Sequence, residues 1–287
     1  MSKLLGFVIA LAALFGVGLV AGDLIGPEPK EETEAHAGSS GGGHGAAQES
    51  GGEHGATAAA AVRGLASAAN GMRLVVETPE LRRGRSERLT FRIVDDHGET
   101  IRDFEVEHEK RLHLIIARRD LTAFQHLHPR QRPDGSWTTP VRIDDAGSYR
   151  VFADFVREGT AETLAGDLRV DGPADLRAIP EPRPTASDAG YDVRLDAATA
   201  RPGKAAELEF TVTKDGKPVA VQPYLGARGH LVALRDGDLA YLHVHPEEHG
   251  HGIAFGATFP TSGRYRLFLQ FKHNDRVRTV AFTKDVA

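Results

Sequence analysis

From about Gly71 to the end of the chain, short runs of Val, Ile, Leu, Phe and Thr alternate with polar residues or stand as compact apolar blocks, each closed by Gly, Asp or Pro. Leu74-Val75-Val76-Glu77 and Leu89-Thr90-Phe91-Arg92-Ile93-Val94 read as strands, with Asp95-Asp96-His97-Gly98 as a turn. No segment of this part keeps a helical period. Many short strands with frequent turn signals predict an all-β sandwich.

Two N-terminal zones differ. Residues 4–22, LLGFVIALAALFGVGLVAG, carry no charge and are long enough to cross a bilayer core of about 30 Å at 1.5 Å per residue. Residues 1–25 therefore read as a transmembrane anchor or signal. Val20-Ala21-Gly22 meets the cleavage pattern only loosely, which favours an uncleaved anchor. Lys3 precedes the run while Asp23, Glu28, Glu31, Glu32 and Glu34 follow it, which puts the bulk of the chain outside the cytoplasm as a single-pass protein of the cell membrane. Residues 26–70 are rich in Gly, Ala, Ser and Glu and poor in large apolar side chains, so they read as a disordered tether carrying His36, His44 and His54.

The β-rich part repeats itself. Arg83-Gly84 and Leu89-Thr90-Phe91 return as Pro202-Gly203 and Leu208-Glu209-Phe210. HLIIARRDLTAFQHLHP from His113 returns as HLVALRDGDLAYLHVHP from His230, and Gly147-Ser148-Tyr149-Arg150-Val151-Phe152 returns as Gly263-Arg264-Tyr265-Arg266-Leu267-Phe268. Landmarks displaced by 116 to 119 residues in one order mark a tandem duplication. The expected domains are 71–173 and 190–287, joined by a Pro-rich linker over 174–189.

Composition narrows the chemistry. The net charge of −5 gives no basic field, which sets nucleic acid aside as a partner. With no cysteine and two methionines among 287 residues, disulfides, thiolate sites and thioether-rich Cu(I) sites are excluded, and the fourteen histidines become the remaining borderline ligands.

The repeated hairpin gathers those histidines. Asp236-Gly237 predicts a two-residue type I′ turn, which sets His230 opposite His243 and keeps His245 on the same face. A turn at Arg119-Asp120 likewise sets His113 opposite His126, with His128 on their face. Three imidazoles on one rigid hairpin suit Zn(II) or Cu(II), with Cu(II) the first choice. The second copy adds Glu247, Glu248, His249 and His251, while the first has Arg130 and Arg132 after its hairpin and His108 and Glu109 upstream. The expected metal ligands are therefore His113, His126 and His128 in one domain, and His230, His243 and His245 in the other, with His249 and His251 adjoining. Such a site should weaken below about pH 6, where free imidazole protonates. The competing reading is that these histidines donate to backbone and merely organise the hairpin of a structural or interaction module, tethered beside a transporter or assembly complex. A zinc hydrolase ranks last, since no general base can be named, and no serine elbow or phosphate loop occurs. The expected protein is not an enzyme.

These His-Leu-His-Pro and His-Val-His-Pro endings, with the Gly-x-Tyr-Arg-x-Phe strands, resemble the YtkA-like and FixH-like extracytoplasmic immunoglobulin-like domains. The layout is similar to that of tandem membrane-anchored actinobacterial proteins linked to heavy-metal handling. The resemblance implies two immunoglobulin-like or cupredoxin-like sandwiches, but a blue-copper centre needs a cysteine that is absent.

Overall fold

A computed structural model describes residues 62–197, 199–242, 244–247 and 252–287, the side chain of His245 excepted. The expected anchor and most of the tether lie outside these residues, and among the described residues no helix is long and apolar enough to cross a membrane.

The described residues are all-β, in two sandwiches. The first contains β1 (Ala68–Ala69), β2 (Met72–Val76), β3 (Glu80–Leu81), β4 (Ser86–Asp95), β5 (His113–Arg118), β6 (Phe124–Leu127), β7 (Arg130–Gln131), β8 (Trp137–Arg142), β9 (Gly147–Arg157) and β10 (Thr160–Val170). Its sheets run β1-β2-β4-β8-β7 and β3-β10-β9-β5-β6. The second contains β11 (Thr185–Asp188), β12 (Tyr191–Ala197), β13 (Ala205–Lys214), β14 (Lys217–Pro218), β15 (His230–Arg235), β16 (Tyr241–Leu242), β17 (His245–Glu247), β18 (Ile253–Thr258), β19 (Gly263–His273) and β20 (Arg276–Val286). Its sheets run β11-β12-β13-β18-β17, with β14 on β13, and β16-β15-β19-β20.

Both sandwiches start earlier in the chain than the hydrophobic pattern marks. Ala68 and Ala69 pair with Arg73 and Met72 across Asn70-Gly71, both at positive φ, an arrangement those two residue types favour. Thr185 opens β11 inside the Pro-rich stretch.

Strand patterning separates two kinds of sheet. β8 (WTTPVR) and β12 (YDVRLDA) alternate buried and open positions, as strands with one wet face should. β5 is buried at all six positions, and β15 at four in succession, so these strands are covered on both faces. Inward residues Leu114 and Ile116 join the first core, and Leu231 and Ala233 the second. The outward residues Ile115, Ala117, Phe152, Val232, Leu234, Tyr241 and Phe268 form a third apolar cluster, which holds the two sandwiches together through their equivalent sheets. Its contacts are reciprocal under the repeat: Phe124 stacks on Phe268 at 4.1 Å, and Tyr241, the counterpart of Phe124, lies against Phe152, the counterpart of Phe268, at 5.5 Å. Such exchange is the mark of a two-fold relation. In each copy a tyrosine closes the corner before the late strand, Tyr149 donating to the Asp145 carbonyl at 2.8 Å and Tyr265 to the Thr261 carbonyl at 3.0 Å, as immunoglobulin-like sandwiches do.

The hairpins differ from the expected two-residue turns. Arg118 N–H bonds to the Ala123 carbonyl and Arg235 N–H to the Ala240 carbonyl, which leaves four-residue loops over 119–122 and 236–239. Ile115 therefore stands opposite His126. Leu121 and Leu239 hold φ of 56° and 61°, a conformation that costs leucine roughly 1–2 kcal/mol. Both are fully buried in the cluster between the sandwiches, and that burial, about 1.5–3 kcal/mol each, offsets the strain. The register shift of two residues preserves side-chain parity, so His113, His126 and His128 keep a common face.

Candidate metal centre

His113 opens β5, and His126 lies on β6. His128 follows just before Pro129, where the chain leaves this sheet to pair with β8 in the opposite one as β7. One ring nitrogen from each of the three falls within 4.8 Å of the others. Ring centroids stand 5.2 Å apart for His113 and His126, 5.1 Å for His113 and His128, and 4.8 Å for His126 and His128. Imidazoles sharing one tetrahedral ion at about 2.1 Å have centroids about 5 Å apart.

The outer shell fixes the rings. Nδ1 of His126 lies 2.6 Å from Oε1 of Gln270, whose amide nitrogen donates to Thr279 Oγ1 at 3.2 Å. Nε2 of His113 lies 3.2 Å from the Glu107 carbonyl, and its Nδ1 lies 3.0 Å from Nε2 of His126. Nε2 of His128 is buried without a hydrogen-bond partner. The Glu107 carbonyl comes from a tight turn in which His108 and Glu109 hold φ of 47° and 64°, a strained pair for residues that are not glycine.

With the oxygen of Gln270 turned to His126, two rings and three polar gaps lie between it and the Glu107 carbonyl, and in that orientation each gap needs one N–H. Two neutral imidazoles supply two. Protonating a ring would supply the third, but burial opposes it. Desolvation lowers His113, and it lowers His126 to about 3, helped by His113 and His128. It lowers His128 to about 4, helped by His113 and Lys110. The rings are therefore neutral near pH 7, with lone pairs facing one another. A cation between Nδ1 of His113 and Nε2 of His126 removes the conflict and gives the orphan nitrogen of His128 a partner.

Below the rings, the buried carboxylate of Asp154 is paired across the sheet from His113 and receives the hydroxyls of Thr163 at 2.7 Å and Tyr241 at 3.1 Å. It supplies negative charge to a site that would hold a cation.

A family model described as a domain of unknown function (DUF8832) matches residues 67–172 and again 185–287. The chain belongs to this family. The two DUF8832 matches cover both sandwiches and both histidine hairpins. No curated protein matches the chain. Among solved structures it is similar to the Escherichia coli adhesin FdeC (17% identity, TM-score 0.27), spanning 77% of this chain and 65% of that one. It is similar also to Yersinia pseudotuberculosis InvD (10%, 0.26), over 76% and 57% of the respective chains, and to Salmonella alpha-2-macroglobulin (13%, 0.28), over 79% and 15%.

The second set of expected ligands is distributed differently. His230 comes to the first trio, its ring centroid 5.3 Å from His113 and 4.8 Å from His126. The backbone of His245 pairs with Gly256 in the opposite sheet, so it does not continue β16. His243, His249 and His251 lie outside the described residues. His273 is taken by the Tyr191 hydroxyl at 2.8 Å. Sequence reading passed over Asp154 and Gln270. Their signal is a polar residue inside the apolar runs VFADF and LFLQF, rare positions for such side chains.

Proposed function

We propose that the chain is a non-enzymatic extracytoplasmic metal-binding protein, tethered to the membrane by residues 4–22, that holds one divalent ion, Cu(II) first and Zn(II) second, on His113, His126 and His128. The three ring nitrogens within 4.8 Å of one another, with Nε2 of His128 buried and unpartnered among them, carry this reading. A metal ligand with its second nitrogen fixed by a carbonyl or amide is the usual outer-shell arrangement, and His113 and His126 both have it. Two imidazole nitrogens on a tetrahedral ion stand about 3.4 Å apart, so the 3.0 Å pair needs to open by only a few tenths of an ångström. With neither cysteine nor a methionine cluster in the chain, the role fits capture or handling of a divalent ion rather than electron transfer. It agrees with the heavy-metal handling that the resemblance to tandem membrane-anchored actinobacterial proteins implies.

The test is calorimetric titration of Cu(II) and Zn(II) into the full chain, with the tether histidines replaced by His36→Ala, His44→Ala and His54→Ala. One ion per chain is expected. Unchanged tight binding after His113→Ala with His126→Ala overturns the reading.

A structural reading is favoured by one observation: an apolar cluster made of residues other than the histidines joins the sandwiches. On it the chain is a tandem spacer beside a membrane transporter or assembly complex, and metal leaves its melting temperature unmoved.

A further inference from the structure

We propose that the metal site is completed across the seam between the two sandwiches, with His230 of the second as its fourth ligand, so that bound metal locks the sandwiches together. This rests on the triad reading above and extends it.

The repeat alone would give each sandwich its own site, yet the geometry draws His230 away from that role. It opens β15 at the end of the strand that faces β5, and its ring lies nearly parallel to that of His113, 9° between planes at 5.3 Å, and 4.8 Å from His126. These ring-centroid separations match those within the trio, while the nitrogens already within 4.8 Å of one another are those of the trio, so His230 turns its ring toward them to ligate. The second sandwich also supplies Gln270, which lies opposite His230 on β19 and holds Nδ1 of His126. Tyr241, from the same sandwich, donates to Asp154 beneath the rings. Three groups of the second sandwich thus converge on the histidines of the first, and the reciprocal aromatic pairs hold the two sheets in that register.

His108 stands beside the site. Its ring stands 5.6 Å from His230 and 6.2 Å from His113, and it lines a cavity of about 510 Å³ whose other walls include Val221, Pro223, Arg228 and Glu247 of the second sandwich. His108 thus joins the wall of this cavity to the ring contacts with His113 and His230. The strained turn at His108-Glu109 carries this ring, while its neighbour Glu107 binds His113.

A ligand bound only by the joined state stabilises the joined state. Zinc should therefore slow hydrogen exchange in β15 as well as in β5. The experiment measures Zn(II) affinity of the full chain by competition with a chromophoric chelator, and amide exchange with and without zinc, for the wild type, His126→Ala and His230→Ala. Both variants should bind roughly 100-fold more weakly, at or beyond the upper end for losing an outer-shell partner. In the wild type, zinc should protect amides of β15, and in His126→Ala it should not. If His126→Ala binds weakly and His230→Ala binds like the wild type, the shared site is overturned and the triad stands. Binding untouched in His126→Ala overturns both. Should His230→Ala fail to fold, zinc protection confined to β5 in the wild type overturns the shared site by itself.

Discussion

His126 of the first sandwich and Gln270 of the second are joined by a hydrogen bond of 2.6 Å, 144 residues apart in the chain. The contact crosses the seam and orients the ring whose other nitrogen faces His113, so packing between sandwiches and ligand geometry are one problem. Gln270→Leu removes the oxygen at similar volume. Zinc affinity should fall about 10- to 100-fold, as it does when outer-shell partners are lost, and chelator competition measures this. Unchanged affinity would show that Gln270 does not orient the ring.

The buried rings also set a pH dependence. His126 titrates at about 3 and His128 at about 4 in the folded chain, both mainly through desolvation, whereas in the unfolded chain they titrate near 6.5, about the free value. Between those limits the unfolded state binds more protons. The stability contributed by the neutral rings is complete above about pH 6.5 and is lost as the pH falls toward 4. Melting of the metal-free chain should follow that slope, and His126→Asn should flatten it. A profile as steep in the variant as in the wild type would contradict the assignment.

The same shifts alter the expectation drawn from free imidazole. Protons compete for His126 and His128 only near pH 3 to 4 rather than near pH 6, and burial lowers His113 too, so zinc affinity should be largely retained at pH 5. A tenfold loss between pH 7 and 5.5, read by chelator competition, would contradict it.

Leu239 is fully buried with φ of 61°. Leu239→Ala should cost about 2–5 kcal/mol in denaturant unfolding through lost packing. Leu239→Gly should be about 1 kcal/mol better than the alanine variant, because glycine adopts positive φ without strain. Glycine measuring worse than alanine would count against the strained loop.

Phe124 and Phe268 stack at 4.1 Å across the seam. A double-mutant cycle to alanine should give a coupling of about 0.5–1.5 kcal/mol in unfolding. Additive losses would mean that the sandwiches do not pair in this way.

The sandwiches, their repetition and the common face of His113, His126 and His128 were legible in the sequence because strand parity survives an even slip in register. The turn type was not, since Asp-Gly advertises a two-residue turn and the repeat carries it over to Arg119-Asp120, while the deciding residues, Leu121 and Leu239, act through a neighbour some hundred positions away. The union of His230 with the first trio was hidden for the same reason. Its clue is the unbroken apolar run in HLIIAR and HLVALR, which marks strands buried on both faces and hence a partner for the outer face.

Anomalous diffraction at the zinc edge from crystals of the zinc-loaded chain tests the central claim most directly. One peak is expected within about 2.1 Å of His113 Nδ1, His126 Nε2 and His128 Nε2. No peak there, with His113 Nδ1 and His126 Nε2 still 3.0 Å apart, would contradict it.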